Sequence, residues 1–262
     1  MAMKVILSPW RGGTPRRLAA SLNAVVRTPE KFDKPRLVTP SLILNWGCGK
    51  VLPVRCRVLN HASRVAVAAN KLRTFQALSE AKIATLEWTK DVAEALKWHK
   101  TSSVIGHHNL HGHSGSGLTL FKKGEGGPSS CKVYTKYFPK RVECRVLCVR
   151  SGDTYSTFYM EKKRVLENRY KEFDISEAPT TFVRTYSNGW IYSREVPDDP
   201  KAMELAIRAM KAMKLDYGAV DVMKDTKGNY VVGEVNTAPG LEGQALSWFS
   251  LCLGRLINPG SH

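Results

Sequence analysis

The chain is predicted to be a mixed α/β (α+β) protein with a small open-sheet α/β lobe at its N terminus. Three observations carry this. Strand, helix and strand alternate in the first third; three consecutive strand patterns fill residues 131–160; and a hairpin over 215–241 lies between two amphipathic helical stretches. A length of 262 residues suffices to bury a substantial core, and a hydrophobic fraction of 43% is that of an ordinary globular protein. No apolar run approaches membrane-spanning length, and the opening MAMKVILSPWRGG is too short for a signal peptide. Six cysteines (48, 56, 131, 144, 148 and 252) form no CxxC pair, which points to reduced thiols in a cytosol.

In chain order, residues 4–8 (KVILS) read as a strand, followed by a turn through Gly12 and Gly13 and a helix starting near Pro15. Residues 41–47 (SLILNWG) are a second strand ending in a glycine turn, and the alternation suggests a parallel sheet over about 1–66. The glycines at 12–13 and 47–49 make no GxGxxG pattern, so they are expected to be turns or substrate-facing loops. NKLRTFQALSEA at 70–81 is a helix with Asn70 as its cap and Leu72, Phe75 and Leu78 on one face. A helix over 91–100 leads into a strand at 103–106.

HHNLHGHSGSGLTLF at 107–121 is a glycine-rich loop between strands, able to lay backbone N–H groups against phosphate oxygens. Its four histidines match no standard zinc spacing. KVYTKYF, VECRVLCV and TYSTFYM follow as strands, with clear alternation in Val142, Cys144, Val146 and Cys148. Residues 167–197 are polar and carry little pattern beyond a turn signal at 187–189. Helices are expected over 200–213, with Met203, Ile207 and Met210 inward, and over 242–256, with Leu246, Phe249 and Leu253 inward.

The hairpin LDYGAVDVMKDTKGNYVVGEVNTAPGL organises the rest. Pairing Asp225 with Tyr230 sets Met223 against Val232 and Asp221 against Glu234, and Asn236 shares Glu234's face. Two facing carboxylates repel unless a cation lies between them, and an Asp, Glu and Asn set suits Mg²⁺ shared with phosphate oxygens. An exposed hairpin edge with two acids on its wet face satisfies the same spacing.

GAVD followed by GEVNTAPGL resembles the C-terminal metal motif of the ATP-grasp superfamily, and the likeness extends over roughly 67–250. It implies an ATP-grasp domain over 67–262, with a central flap lobe at about 100–138 and a metal-binding lobe at about 139–262. It implies ATP and Mg²⁺ (or Mn²⁺) as cofactors, the metal held by Asp221, Glu234 and Asn236. Lys71 would approach the nucleotide phosphates, and Gly115, Ser116 and Gly117 would close over them. His107 takes the place of the family's usual Lys or Arg before the flap. KYFP resembles the hinge that contacts adenine; Lys136 replaces its usual acid, leaving backbone contacts at Lys136 and Phe138. Glu143 and Arg145 match an E-x-R-V element, the acid suited to a ribose hydroxyl and the arginine to phosphate or carboxylate. Lys163 is the expected phosphate-neutralising lysine, although a charged strand end explains it equally. Arg184 and Arg194 bracket the polar stretch as candidates for an acyl-phosphate oxyanion.

With bacterial and phage-encoded ATP-grasp ligases as the nearest likeness, the expected reaction joins a carboxylate to an amine through an acyl phosphate, in a bacterial cytosol. A kinase on the same fold, or a basic nucleic-acid-binding protein with a degenerate ligase fold, uses the same features. Net charge is the unusual number: 40 basic against 23 acidic residues leaves +17. A few cations suffice for MgATP, so a nucleic acid or an acidic protein or peptide is expected as a further reactant or partner.

Overall fold

The computed structural model describes residues 3–10, 12–32, 40–111, 117–172, 182, 184–186 and 189–258, with 31 and 32 by backbone alone. The first unit comprises β1 (Lys4–Leu7), α1 (Gly13–Leu22), β2 (Val25–Arg27), β3 (Leu42–Asn45), β4 (Arg57–Leu59) and α2 (Ala62–Ala68). Its strands form the parallel sheet β2-β1-β3-β4. β3 is fully buried and β1 nearly so, which is why both read as unbroken apolar runs. The second unit holds α3 (Lys71–Glu80), β5 (Trp88–Thr89), α4 (Val92–His99), β6 (Val104–His107), β7 (Leu118–Phe121) and β8 (Val133–Lys136), with the antiparallel sheet β5-β8-β6-β7. The third holds β9 (Lys140–Ser151), β10 (Thr154–Arg164), β11 (Trp190–Ser193), α5 (Pro200–Met213), β12 (Tyr217–Asp225), β13 (Tyr230–Asn236) and α6 (Gly243–Ile257). Its sheet is β11-β10-β9-β12-β13, antiparallel throughout.

Helix starts follow their caps. Asn70 Oδ1 accepts the Arg73 N–H at 3.1 Å, Asp91 accepts from Ala93 at 2.8 Å, and Asp199 accepts from Lys201 and Ala202 with Pro200 next in line. Three features bear on the sequence expectations, each with its own cause. The strands of 131–160 divide between two sheets, because the hinge at 137–139 redirects the chain after β8. β11 lies inside the stretch without a readable pattern; every one of its residues is half-buried, so no alternation marks it. α5 turns Leu205, Ala206, Ala209 and Met213 inward together with Met210, while Met203 and Ile207 only flank the core.

The five-stranded sheet has an apolar core on each side. One face presents Cys144, Val146, Cys148, Val220, Val222, Val232 and Val235 to α5. The other presents Leu147, Val149, Tyr217 and Ala219 to α6 and also to the N-terminal unit, whose Ile6, Leu18, Leu44 and Trp46 belong to the same cluster. Trp46 stacks on Tyr217 with ring centroids 5.8 Å apart and meets Phe249 edge-on at 5.8 Å. Asn60 locks the seam: its N–H donates to Asp216 at 2.7 Å and its Nδ2 to the Tyr217 carbonyl at 2.8 Å. The boundary near residue 66 therefore separates sheets but not cores.

Candidate active site

Along that second face, the strands change character. Leu147, Ala219 and Tyr217 lie under α6, and one step further Arg145, Asp221 and Glu234 stand side by side on β9, β12 and β13. Asp221 pairs with Glu234 as counting from the sequence expects, but by a different route. Met223 faces Val231, not Val232, and Asp225 is bridged to Asn229, which leaves a three-residue turn with Gly228 at φ +83°. A bulge beside Asp221 inserts Gly233 as an extra residue and restores the register. It also lets Val232 and Val235 both face α5 while Glu234 and Asn236 both face the cleft. A Cβ at Gly233 would lie 2.4 Å from Met223 Cε.

Asp221 is met first by a protein cation. Arg145 Nε and Nη2 reach its two oxygens at 2.7 and 2.8 Å, a bidentate pair. Burial works against both charges, and the pairing outweighs it: Asp221 is held below the usual carboxylate range and Arg145 is protonated more firmly than a free guanidinium. Two fork contacts use one lone pair on each oxygen, so the carboxylate retains acceptor capacity. Glu234 lies 3.8 Å from Lys71 Nζ, carried there by the first turn of α3. Asn236 Oδ1 accepts the Ala238 N–H at 2.9 Å and likewise keeps a second lone pair. This all-oxygen set fits a hard divalent cation such as Mg²⁺.

Parity along β10 sends its two neighbouring lysines to opposite faces. Lys163 is half-exposed and paired with Glu161 at 2.7 Å on the far side of the sheet. Lys162 faces the cleft, where its Nζ bonds Glu143 and donates to the Arg184 carbonyl at 2.6 Å. Lys140 lies 2.9 Å from the same glutamate, and burial lowers its pKa against the pull of Glu143. Glu143 is thus held by two cations beside the hinge. Tyr192 of β11 underlies the group, with Arg145 4.5 Å and Lys162 5.4 Å from its ring centroid and its hydroxyl 3.5 Å from Asp221. Burial and then Asp221 push that phenol's pKa well up. Lys162 and Tyr192 are not among the residues that the sequence singles out. The alternation of Met160 with Lys162, opposite Arg145, is the signal that points to Lys162.

The remaining expected residues are placed as follows. Gly115 and Ser116 lie outside the described residues. Gly117, at φ +71°, closes the β6–β7 hairpin, its carbonyl accepting the His108 N–H at 2.9 Å. His107 is buried and shares a hydrogen bond of 3.1 Å with Thr135, and its Nδ1 has no hydrogen-bond partner among the described residues. Burial, then the charges of Lys71 and His108, bring its pKa down to about 3, so it is a neutral imidazole and not a stand-in cation. The Lys136 amide donates to the Glu87 carbonyl at 3.0 Å, and the Phe138 carbonyl accepts from Lys140 at 2.7 Å. The Lys136 N–H and the Phe138 carbonyl are thus both engaged within the protein. A cavity of about 370 Å³ opens beside this hinge, lined by Leu86, Tyr137, Phe138 and Val231 among others. Arg184 is a buried clamp that donates to the carbonyls of Lys140 and Arg141 and stacks on Trp190 at 4.4 Å. Arg194 is paired with Asp198 at 3.0 Å and lies over Phe158.

The RimK-like ATP-grasp domain family matches residues 193–247, the stretch containing β12 and β13. A ribosomal protein bS6–L-glutamate ligase of Escherichia coli O7:K1 (strain IAI39 / ExPEC) is 32% identical over 108 residues, 41% of this chain. The matched part spans 31% of that relative, under a third of its length. Among solved structures, D-alanyl-alanine synthetase A from Vibrio cholerae superposes with a TM-score of 0.65 at 14% identity, covering 98% of this chain and 99% of that one. A RimK domain ATP-grasp protein from Sphaerobacter thermophilus gives 0.63 at 16% identity, covering 98% of each.

Proposed function

We infer, from the ATP-grasp fold that this chain adopts, that it is an ATP- and Mg²⁺-dependent ligase joining a carboxylate to an amine. The observation that carries this reading is the cleft end of the sheet. Asp221, Glu234 and Asn236 converge there with Arg145, Lys162 and Lys71 around them, at the point where apolar packing stops. That is an oxygen-donor set ringed by cations, suited to a metal–triphosphate.

In this reading the adenine occupies the cavity beside the hinge, and Glu143 exchanges a lysine contact for a ribose hydroxyl. Lys71 and Lys162 lie along the phosphates. Bound Mg²⁺, held by Asp221, Glu234 and Asn236, supplies further neutralisation of phosphate charge. A substrate carboxylate oxygen attacks the γ-phosphorus as the bond to the ADP oxygen breaks, giving acyl phosphate and ADP. The amine nitrogen then attacks the acyl carbon, phosphate leaves with the C–O electron pair, and the nitrogen loses a proton to yield the amide. Arg145, fixed by Asp221 and Tyr192, is placed to offset charge as the phosphoryl group moves. The unbridged cysteines support a reducing cytosol as its place of work, and no helix among the described residues is long and apolar enough to cross a membrane. A nucleic acid or an acidic protein remains the proposed larger partner, on the strength of the charge.

The test is Mg²⁺-dependent ADP release with pooled amino acids and peptides, run with hydroxylamine to trap acyl phosphate as hydroxamate. Hydroxamate formation lost in Glu234→Gln is the expected result. ADP release yielding a stable phosphorylated product instead marks a kinase and overturns the ligase reading.

A further inference from the structure

Each carboxylate of the cleft is met by a protein cation. Arg145 forks onto Asp221 at 2.7 and 2.8 Å, Lys140 and Lys162 hold Glu143, and Lys71 stands 3.8 Å from Glu234. The four cations and three carboxylates of this cluster balance to within one charge. A divalent cation arriving alone would add two charges to a cluster that is already slightly positive. A polyphosphate arriving alone would meet the carboxylates of Asp221 and Glu234.

The four cations are not held alike. Arg145 is fixed by its fork and by the Tyr192 ring, 4.5 Å from its guanidinium. Lys162 is tied to Glu143 and to the Arg184 carbonyl at 2.6 Å, and Lys140 to Glu143 at 2.9 Å. Lys71 differs, because 3.8 Å is beyond hydrogen-bond length and its contact is charge without a directed bond. Its partner is also the more open of the two facing acids, with a side chain 38% exposed against 13% for Asp221. Lys71 can therefore leave Glu234 at little cost.

The motion belongs to the side chain. The Lys71 N–H donates to the Leu110 carbonyl at 2.9 Å, Asn70 caps the same turn, and His111 Nδ1 lies 3.0 Å from the Ala69 carbonyl. With residues 69–71 pinned, only the flexible four-carbon stem swings. His107 is close enough for the Lys71 charge to help lower its pKa, and as a neutral imidazole it adds no cation there. The ammonium that answers Glu234 is thus also the one this side of the cleft offers to phosphate, and it cannot serve both at full strength.

We propose that Lys71 is the resident counter-ion of Glu234 and that the site fills by exchange: a divalent cation takes Glu234 as Lys71 passes to the incoming polyphosphate. Metal and nucleotide then each bind poorly without the other, and by linkage each strengthens the other by the same factor. The exchange rests on the ligase reading of this cleft and adds to it a residue that couples the two ligands.

The experiment uses the full chain and two separate titrations, Mn²⁺ without nucleotide and a non-hydrolysable ATP analogue in EDTA. Wild type should bind each weakly, and should bind the two together tightly. Lys71→Met uncovers Glu234 and should bind Mn²⁺ alone about tenfold more tightly, although it binds the Mn²⁺–analogue complex less well. Lys162→Met removes the same charge from the same cleft but from Glu143, so its affinity for Mn²⁺ alone should change by less than about threefold. Glu234→Gln releases Lys71 and should bind the analogue in EDTA about tenfold more tightly, a gain that should vanish in Lys71→Met/Glu234→Gln. Persistence of that gain in the double variant means simple repulsion and overturns the exchange, as does an unchanged Mn²⁺ affinity in Lys71→Met. Both results leave the ligase reading standing if wild type still binds Mn²⁺ and the analogue together. Failure of wild type to bind that pair overturns the ligase reading and the exchange with it.

Discussion

Lys162 and Lys163 are neighbours on β10, and the pleat sends them to opposite faces of the sheet. Lys162 lies among Glu143, Tyr192 and Arg145 in the cleft; Lys163 answers Glu161 outside it. Lys162→Met should therefore weaken MgADP binding about tenfold or more by calorimetry, the loss of one charge-assisted contact, and Lys163→Met should leave it within about twofold. Equal effects would mean that the cleft lysine is not in the nucleotide site. His107 carries a prediction about pH. Its folded pKa of about 3 lies below the ordinary 6.5, so above 6.5 neither state binds the proton and stability is complete. As pH falls from 6.5 towards 3, the unfolded chain takes up a proton that the folded one refuses, and stability drops by about 1.4 kcal/mol per pH unit. His107→Gln keeps a partner for Thr135 and does not titrate, so its urea midpoint should fall less between pH 7 and pH 5 than that of the wild type. Parallel falls would show that His107 is not responsible.

At the scale of the element, the β12–β13 hairpin depends on two glycines with different tasks. Gly228 meets no atom within 4 Å but holds φ +83°, so Gly228→Ala should cost about 1 kcal/mol from backbone strain alone. Gly233 is limited by space, since its missing Cβ would meet Met223. Gly233→Ala should destabilise by a similar amount in a Met223 background and by less in Met223→Ala. A double-mutant cycle should give a coupling of about 0.5 to 1 kcal/mol at Gly233 and none at Gly228. Zero coupling at Gly233 would argue against the bulge. The two glycines also explain why counting from the sequence reached the right carboxylate pair: the turn is one residue shorter than assumed, and the bulge adds one back.

At the scale of the molecule, the N-terminal sheet and the five-stranded sheet share one core through Trp46, Tyr217 and Phe249. Phe249→Ala should thus destabilise by about 3 to 5 kcal/mol. Unfolding followed by tryptophan fluorescence and by far-ultraviolet dichroism should still coincide in one transition. A fragment of residues 67–262 would lose Ile6, Leu18, Leu44 and Trp46 from this cluster, uncovering the part of the Tyr217 and Phe249 surface that they pack, and should lack a cooperative transition. A well-folded fragment would show that the N-terminal lobe is an independent domain.

What the sequence determined by itself follows from local rules. Asn70, Asp91 and Asp199 start helices because their side chains reach amides two or three residues away. The hairpin and its acids were legible because turn chemistry is written in consecutive residues, but the pairing of Asp221 with Glu234 is set by a bulge that breaks the period of two. Parity along β10 was equally present and sets Lys162 and Lys163 on opposite faces. Tertiary structure alone decided the rest, since it depends on residues far apart in the chain. Arg145 is committed to Asp221, 76 positions away, by strand order. Tyr192 enters the site on an edge strand whose half-burial leaves no pattern to read. Arg184 is a clamp because the carbonyls it bonds, those of Lys140 and Arg141, open β9, which no local signal brings near. His107 is neutral because the fold removes water from it and sets Lys71 nearby, and desolvation is a property of the packed molecule rather than of any segment.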